Sequence, residues 1–173
     1  MKRFTPVRWT ALAVLAGTAL ASTPALAVGP NQNANASAKI VKPLTLTWVQ
    51  DLDLGTIVLG TGTWAATNVG ITSAGVFTCG NTNVTCSGAT KAAQYKVTGT
   101  NNQRVFITAP NVTLTNQADS TKTLLLTVDN PGFVDLGNSG NSGLNFGLGG
   151  SIAVSSATVD GTYTGQFNVT VNY

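Results

Sequence analysis

The chain has 173 residues, a formal net charge of +3 and no histidine; 9% of its residues are charged and 43% hydrophobic. Without histidine there is no Ser-His-Asp or Cys-His arrangement and no ordinary zinc site. Three of the nine basic residues, Lys2, Arg3 and Arg8, stand at the very start, and beyond residue 27 six Lys/Arg balance six Asp. No basic cluster is left to hold phosphates, so nucleic acid is not an expected partner. A chain this rich in Val, Ile, Leu and Phe and this poor in charge does not read as disordered.

In chain order, Lys2, Arg3 and Arg8 precede the apolar run Trp9 to Leu20, and Ala25-Leu26-Ala27 offers small residues to a signal peptidase. That order predicts a secretory signal over residues 1–27. A retained anchor is the alternative, but the run is shorter than the roughly 20 apolar residues that cross a bilayer. No later segment is continuously apolar for long enough, so no transmembrane anchor is expected after signal removal. The expected location is the periplasm, the outer surface or the medium. The remaining part is one domain long, and its near-zero net charge favours association.

Apart from Val28 itself, Val28 to Ala38 is made of Gly, Pro, Asn, Gln, Ala and Ser, which bury little and predict a flexible arm. Ala34, Ala36, Ala38 and Ile40 alternate with Asn35, Ser37 and Lys39, so the arm is also a candidate donor strand for a sheet edge on another molecule. A disordered leader is the other reading.

From Lys39 onward the pattern has period two or runs in short apolar stretches between turn residues. Expected strands are Lys39 to Val49, Leu54 to Leu59, Val69 to Phe77, Gln94 to Val97, Arg104 to Thr108, Val112 to Thr115 and Thr123 to Val128. Gly132 to Gly150 reads mostly as loop, followed by Ile152 to Val154. The clearest strand is Thr162 to Tyr173. Tyr163, Gly165, Phe167, Val169, Val171 and Tyr173 take one face, and six uncharged polar residues take the other. Read as one strand it spans roughly 40 Å. Eight or nine short strands with frequent turns predict an all-β, antiparallel sandwich or barrel over residues 39–173.

Cys79 and Cys86 flank the turn-rich Gly80–Thr85. In an exported chain such a pair reads as a disulfide, worth roughly 2.5 kcal/mol on chain entropy. A thiolate metal site would need further ligands. Asp51 and Asp53 share a strand face; a calcium site there would need several more oxygens, and the segment reads more simply as a strand end. The glycines at 137, 140 and 143, and at 147, 149 and 150, neither open a helix nor precede a P-loop lysine, so they read as turns. Asn83-Val84-Thr85, Asn111-Val112-Thr113 and Asn168-Val169-Thr170 match the glycosylation acceptor pattern, which a chain rich in Thr and Asn produces by composition. No cofactor and no catalytic residue is expected, and the chain does not read as an enzyme.

Three stretches carry a resemblance: Ile40-Val41-Lys42-Pro43-Leu44-Thr45-Leu46-Thr47, Asp51-Leu52-Asp53-Leu54-Gly55-Thr56-Ile57, and Gly149 to Val154 running on through Gly161 to Tyr173. Together they resemble a secreted proteobacterial family called domain of unknown function 4402. The closing strand, with Gly161 twelve positions before Tyr173, is also similar to chaperone–usher pilins and spore-coat-U-like secreted proteins. That resemblance implies an immunoglobulin-like, pilin-like β-sandwich and a structural subunit of a surface fibre, pilus or coat. The assembly strand would hold Gly161, Tyr163, Phe167, Val169, Val171 and Tyr173. Its partners would be copies of itself or related subunits, and a periplasmic chaperone. The alternative function is a monomeric, self-complete secreted sandwich that binds a ligand or surface.

Overall fold

The computed structural model describes residues 29–173; the expected signal segment, residues 1–27, and Val28 lie outside the described residues. Gly29 to Ala38 is exposed and carries no secondary structure. Lys39 to Tyr173 forms a compact unit.

Its strands in chain order are β1 (Thr45–Gln50), β2 (Thr56–Leu59), β3 (Thr67–Ile71), β4 (Phe77–Cys79), β5 (Val84–Ser87), β6 (Ala93–Thr98) and β7 (Arg104–Thr108). Then follow β8 (Val112–Asn116), β9 (Thr123–Asp129), β10 (Phe133–Asp135), a 3-10 turn at Gly137–Ser139, β11 (Leu144–Val154), β12 (Tyr163–Thr164) and β13 (Thr170–Asn172). The unit is all-β and every ladder is antiparallel. One sheet has eight strands in the path β1-β6-β11-β9-β8-β12, with β3 and β4 branching from β11; β10-β7-β13 forms a second sheet and β2-β5 a third.

Two apolar clusters hold these sheets together. Val97, Val105, Ile107, Leu136, Phe146 and Leu148 centre the first, with Val169 and Val171 packed against it. Val69, Val84, Leu126, Ile152 and Val154 centre the second, with Leu54, Ile57 and Leu59 of the β2 region packed against it. Phe167 and Leu52 reach both.

The central element is β11, 11 residues long. Leu144 to Leu148 pair with β6, Gly149 to Ile152 with β9, and Gly150 to Val154 with β3. Most of this strand falls where the sequence suggests loop, and its glycines at 147, 149 and 150 are not turns. They stand where neighbours come too close for a side chain. A Cβ on Gly149 would lie 2.2 Å from the carbonyl oxygen of Ile71, and one on Gly147 2.1 Å from that of Ser73. Glycine here marks close backbone approach inside a strand.

The expected strand Val69 to Phe77 is two strands, β3 and β4, joined by the Thr72–Val76 turn. β1 begins later than expected, at Thr45, and a register shift between Trp48 and Gln50 breaks its alternation. Trp48 consequently stays exposed, its indole N–H donating to Asp51 Oδ1 at 3.0 Å.

The largest correction concerns Thr162 to Tyr173, which is not one strand. Tyr163 and Thr164 pair with Asn116 and Thr115 of β8, whereas Thr170 to Asn172 pair with Thr108 to Phe106 of β7. Between these ladders Gly165 to Val169 run opposite Ala109 to Leu114, five residues against six. One surplus residue slips the register, as a bulge does. The segment thus crosses from the eight-stranded to the three-stranded sheet alongside the β7–β8 corner. Alternation survives the crossing: Tyr163, Phe167, Val169 and Val171 are half-buried and the polar residues between them are exposed.

Candidate functional site

Crossing between sheets leaves Gly165 to Val169 with no backbone hydrogen bond to another segment among the described residues. A second bare edge lies nearby. Among the described residues β2 pairs only with β5, which leaves one of its two edges unpaired there. Residues 51–59 and 158–168 form the two walls of a groove of about 1430 Å³. Leu114 and Leu124, with Leu126, Ile152 and Val154, form its floor, and Ala93 and Tyr95 also line it. These floor residues belong to or pack against the second core cluster. The extended part of the wall Asp51–Leu59 is β2, since Gly55 with φ +70° turns the chain ahead of it, so at about 3.3 Å per residue the nine residues reach at most roughly 30 Å.

An apolar floor thus lies between two stretches of backbone that have no ladder partner on that side among the described residues. Unpaired N–H and C=O groups in a strand edge are a template for pairing with another chain. An extended segment laid between them would bond through its main chain and send alternate side chains to the floor. A small apolar molecule would cover the floor but leave those backbone groups unanswered.

Tyr163 forms part of the groove wall, and its hydroxyl donates to Val159 O at 2.8 Å. Gly161, with φ +138°, stands against the buried Asn116. The Asn116 amide donates to Asp160 O at 2.9 Å and its oxygen accepts from Ala118 N at 2.9 Å, fastening the start of the C-terminal segment to the end of β8. Cys79 and Cys86 are bonded and tie β4 to β5, and so the β3 branch to the β2 region. Ala34, Ala36, Ala38 and Ile40 are exposed, Ile40 at 91%.

Tyr173 is a fastener. Its hydroxyl donates to Lys42 O at 2.6 Å and accepts from Thr100 N at 2.8 Å. Lys42 N also donates to Thr100 Oγ1 at 2.6 Å, and Lys42 Nζ to Asn141 Oδ1 at 2.8 Å. Three separated stretches of chain therefore meet at one phenol. Tyr173→Phe is expected to cost about 1–2 kcal/mol, since two hydrogen bonds go at once. Urea unfolding of the variant against the parent measures it, and an unchanged midpoint would remove the fastener role.

Electrostatics add little chemistry. Tyr95 stacks on Phe146 with ring centroids 5.8 Å apart, and burial, helped by nearby Asp51, pushes its hydroxyl pKa up. Arg104 makes a bidentate pair with Asp135 on the opposite strand and lies 3.9 Å over the Phe133 ring. Its hydrogen bonds hold the Asp135 carboxyl below its ordinary range, so whatever the pair contributes is present above that range and lost as pH falls. The exposed oxygens of Asp51 and Asp53 are occupied locally, Asp53 Oδ1 accepting from Gly55 N at 2.8 Å. Among the described residues no three His, Cys, Asp or Glu side chains gather as metal ligands, and no helix is long and apolar enough to cross a membrane.

The family model described as Domain of unknown function (DUF4402) matches residues 44–173. The chain belongs to this family. The match takes in both walls and the floor of the groove, together with Gly161 and Tyr173. No curated protein and no solved structure matches the chain.

Sequence periodicity finds β2 and the alternation of the C-terminal segment but not the vacancy between the two walls. That vacancy is a fact of pairing, and pairing is not written in either wall alone. Asn116 gives no sequence signal at all, being one of many Asn in the chain.

Proposed function

We propose that this chain is an exported structural subunit of a surface fibre, pilus or coat, assembled by strand addition and performing no catalysis. Its fold is then an immunoglobulin-like, pilin-like sandwich with one strand position open. The supporting observation is the groove: an apolar floor flanked by the unpaired edge of β2 and the unbonded Gly165–Val169 backbone. Tyr163 and Phe167 line it from the C-terminal side, and the pockets between them and Leu54, Ile57 and Leu59 set the register of an incoming strand. Export and the periplasm or outer surface as its place are supported by the N-terminal signal pattern and by the Cys79–Cys86 bond. A periplasmic chaperone is the natural occupant of the groove before assembly, because an uncovered apolar floor favours aggregation.

Removing Val28 to Ala38 is expected to leave the circular dichroism spectrum and cooperative unfolding unchanged, since the described part of that arm is exposed and carries no secondary structure. It should abolish assembly. Electron microscopy and unboiled gel ladders read this out; fibres from the truncated chain would overturn the strand-addition reading. A stable parent monomer that never assembles would favour the self-complete binding module instead.

A further inference from the structure

The charges around the groove are all of one sign. Asp51, Asp53 and Asp160 line it and no Lys or Arg does. Among the described residues the only ion pair is Arg104–Asp135, so none of these three carboxylates is neutralised by a contact. Lys91 meets Asp53 across an isolated backbone bridge but lines a separate depression outside the groove. The carboxylates stand near the start of each wall: Asp51 and Asp53 in one, Asp160 in the other.

The N-terminal stretch has the opposite character. Between Val28 and Gln50 the only charged residues are Lys39 and Lys42. Lys42 is fastened through its backbone to Thr100 and Tyr173. Lys39 is held only by a hydrogen bond to the neutral, exposed amide of Gln103, which a carboxylate can replace.

We propose, resting on the strand-addition reading above, that the carboxylates Asp51, Asp53 and Asp160 select the strand entering the groove, and that the strand they select is the Lys39-bearing arm of a second copy of this chain. Gly29 to Ala38, ten residues and about 33 Å when extended, is long enough to run along the whole Asp51–Leu59 wall. Its alanines on one parity let the backbone settle between the two edges, and Lys39 meets a carboxylate where the strand leaves. A copy in trans suits this better than the chain's own arm. Ala93 at one end of β6 lines the groove, whereas Thr98 at its other end lies beside the fastened root at Thr100. Doubling back along β6 would use up about five residues of the arm.

Charges at the rim of an interface act on encounter rate and salt sensitivity. The chain from Val28 onward should therefore assemble faster at an ionic strength of about 0.01 M than at about 1 M, where the screening length falls from about 30 Å to about 3 Å. Lys39→Glu should slow assembly roughly fivefold to tenfold at low salt, and little at high salt. Light scattering and sedimentation read both. Pairing Lys39→Glu with Asp160→Lys, or with Asp51→Lys and Asp53→Lys together, should restore the rate in one of the two combinations. The restoring combination reports which wall's carboxylates Lys39 meets. If Lys39→Glu assembles like the parent while the arm-deleted chain does not, charge selection is wrong and strand addition stands. If neither reversal restores the rate, the carboxylates are not the selecting groups. Assembly of the arm-deleted chain at the parent rate would instead remove the underlying strand-addition reading.

Discussion

Replacing Gly161 by alanine is expected to destabilise the fold by about 3–5 kcal/mol, a loss assembled from two separate causes. Gly161 has φ +138°, a region that a residue with a Cβ enters only under strain. The new methyl carbon would also lie 2.4 Å from Nδ2 and 2.7 Å from Oδ1 of Asn116, whose residue is 1% exposed. Asn116 cannot retreat without breaking its bonds to Asp160 O and Ala118 N. Denaturant unfolding gives the magnitude. Coupling gives the mechanism: in Gly161→Ala with Asn116→Ala the two costs should fall short of their sum, because the clash has lost its partner. Full additivity would mean that Gly161 matters for backbone conformation alone.

Leu126→Ala is expected to cost about 2–5 kcal/mol, in line with large-to-small changes in cores. Leu126 is 2% exposed, packs beneath Gly150 of the central strand and forms part of the groove floor. It therefore serves stability and strand acceptance together. Val97→Ala, in the first cluster and away from the groove, separates the two roles. Both variants lower the unfolding midpoint, but only Leu126→Ala should slow assembly when each is measured well below its own midpoint. Equal slowing in both would show that assembly follows stability rather than the floor.

What the sequence made legible is the class of structure. Alternation placed β7 at its observed bounds, and β2, β6, β8 and β9 to within a residue or two. The even pair Cys79 and Cys86, read in a chain expected to be exported, anticipated their bond. The failures share one physical origin. Periodicity reports which face of a segment is apolar and says nothing about what lies along its edges. Thr162 to Tyr173 kept its alternation through a change of sheet, so the pattern could not show the break at Gly165 to Val169. Likewise Gly147, Gly149 and Gly150 look like turn residues because nothing local distinguishes a glycine needed for a turn from one crowded by a neighbouring backbone. Both errors lie beside the candidate site, where pairing is least regular.

The place of β11 has a consequence for the order of events as the protein folds. Its partners β3, β6 and β9 all precede it in the chain, the first by more than seventy residues. Until Leu144 to Val154 arrives, those strands have no common neighbour, and the pairs β1–β6, β3–β4 and β8–β9 stay unjoined. Pairings so far apart in sequence make for slow folding, because the loop entropy is lost before the contacts form. A chain threaded out of the cell from its N-terminus would wait with β1–β6, β2–β5, β3–β4 and β8–β9 as separate pairs. The rate at which the last thirty residues emerge, rather than the strength of any early hairpin, should then set how long its strand edges stay open to strangers.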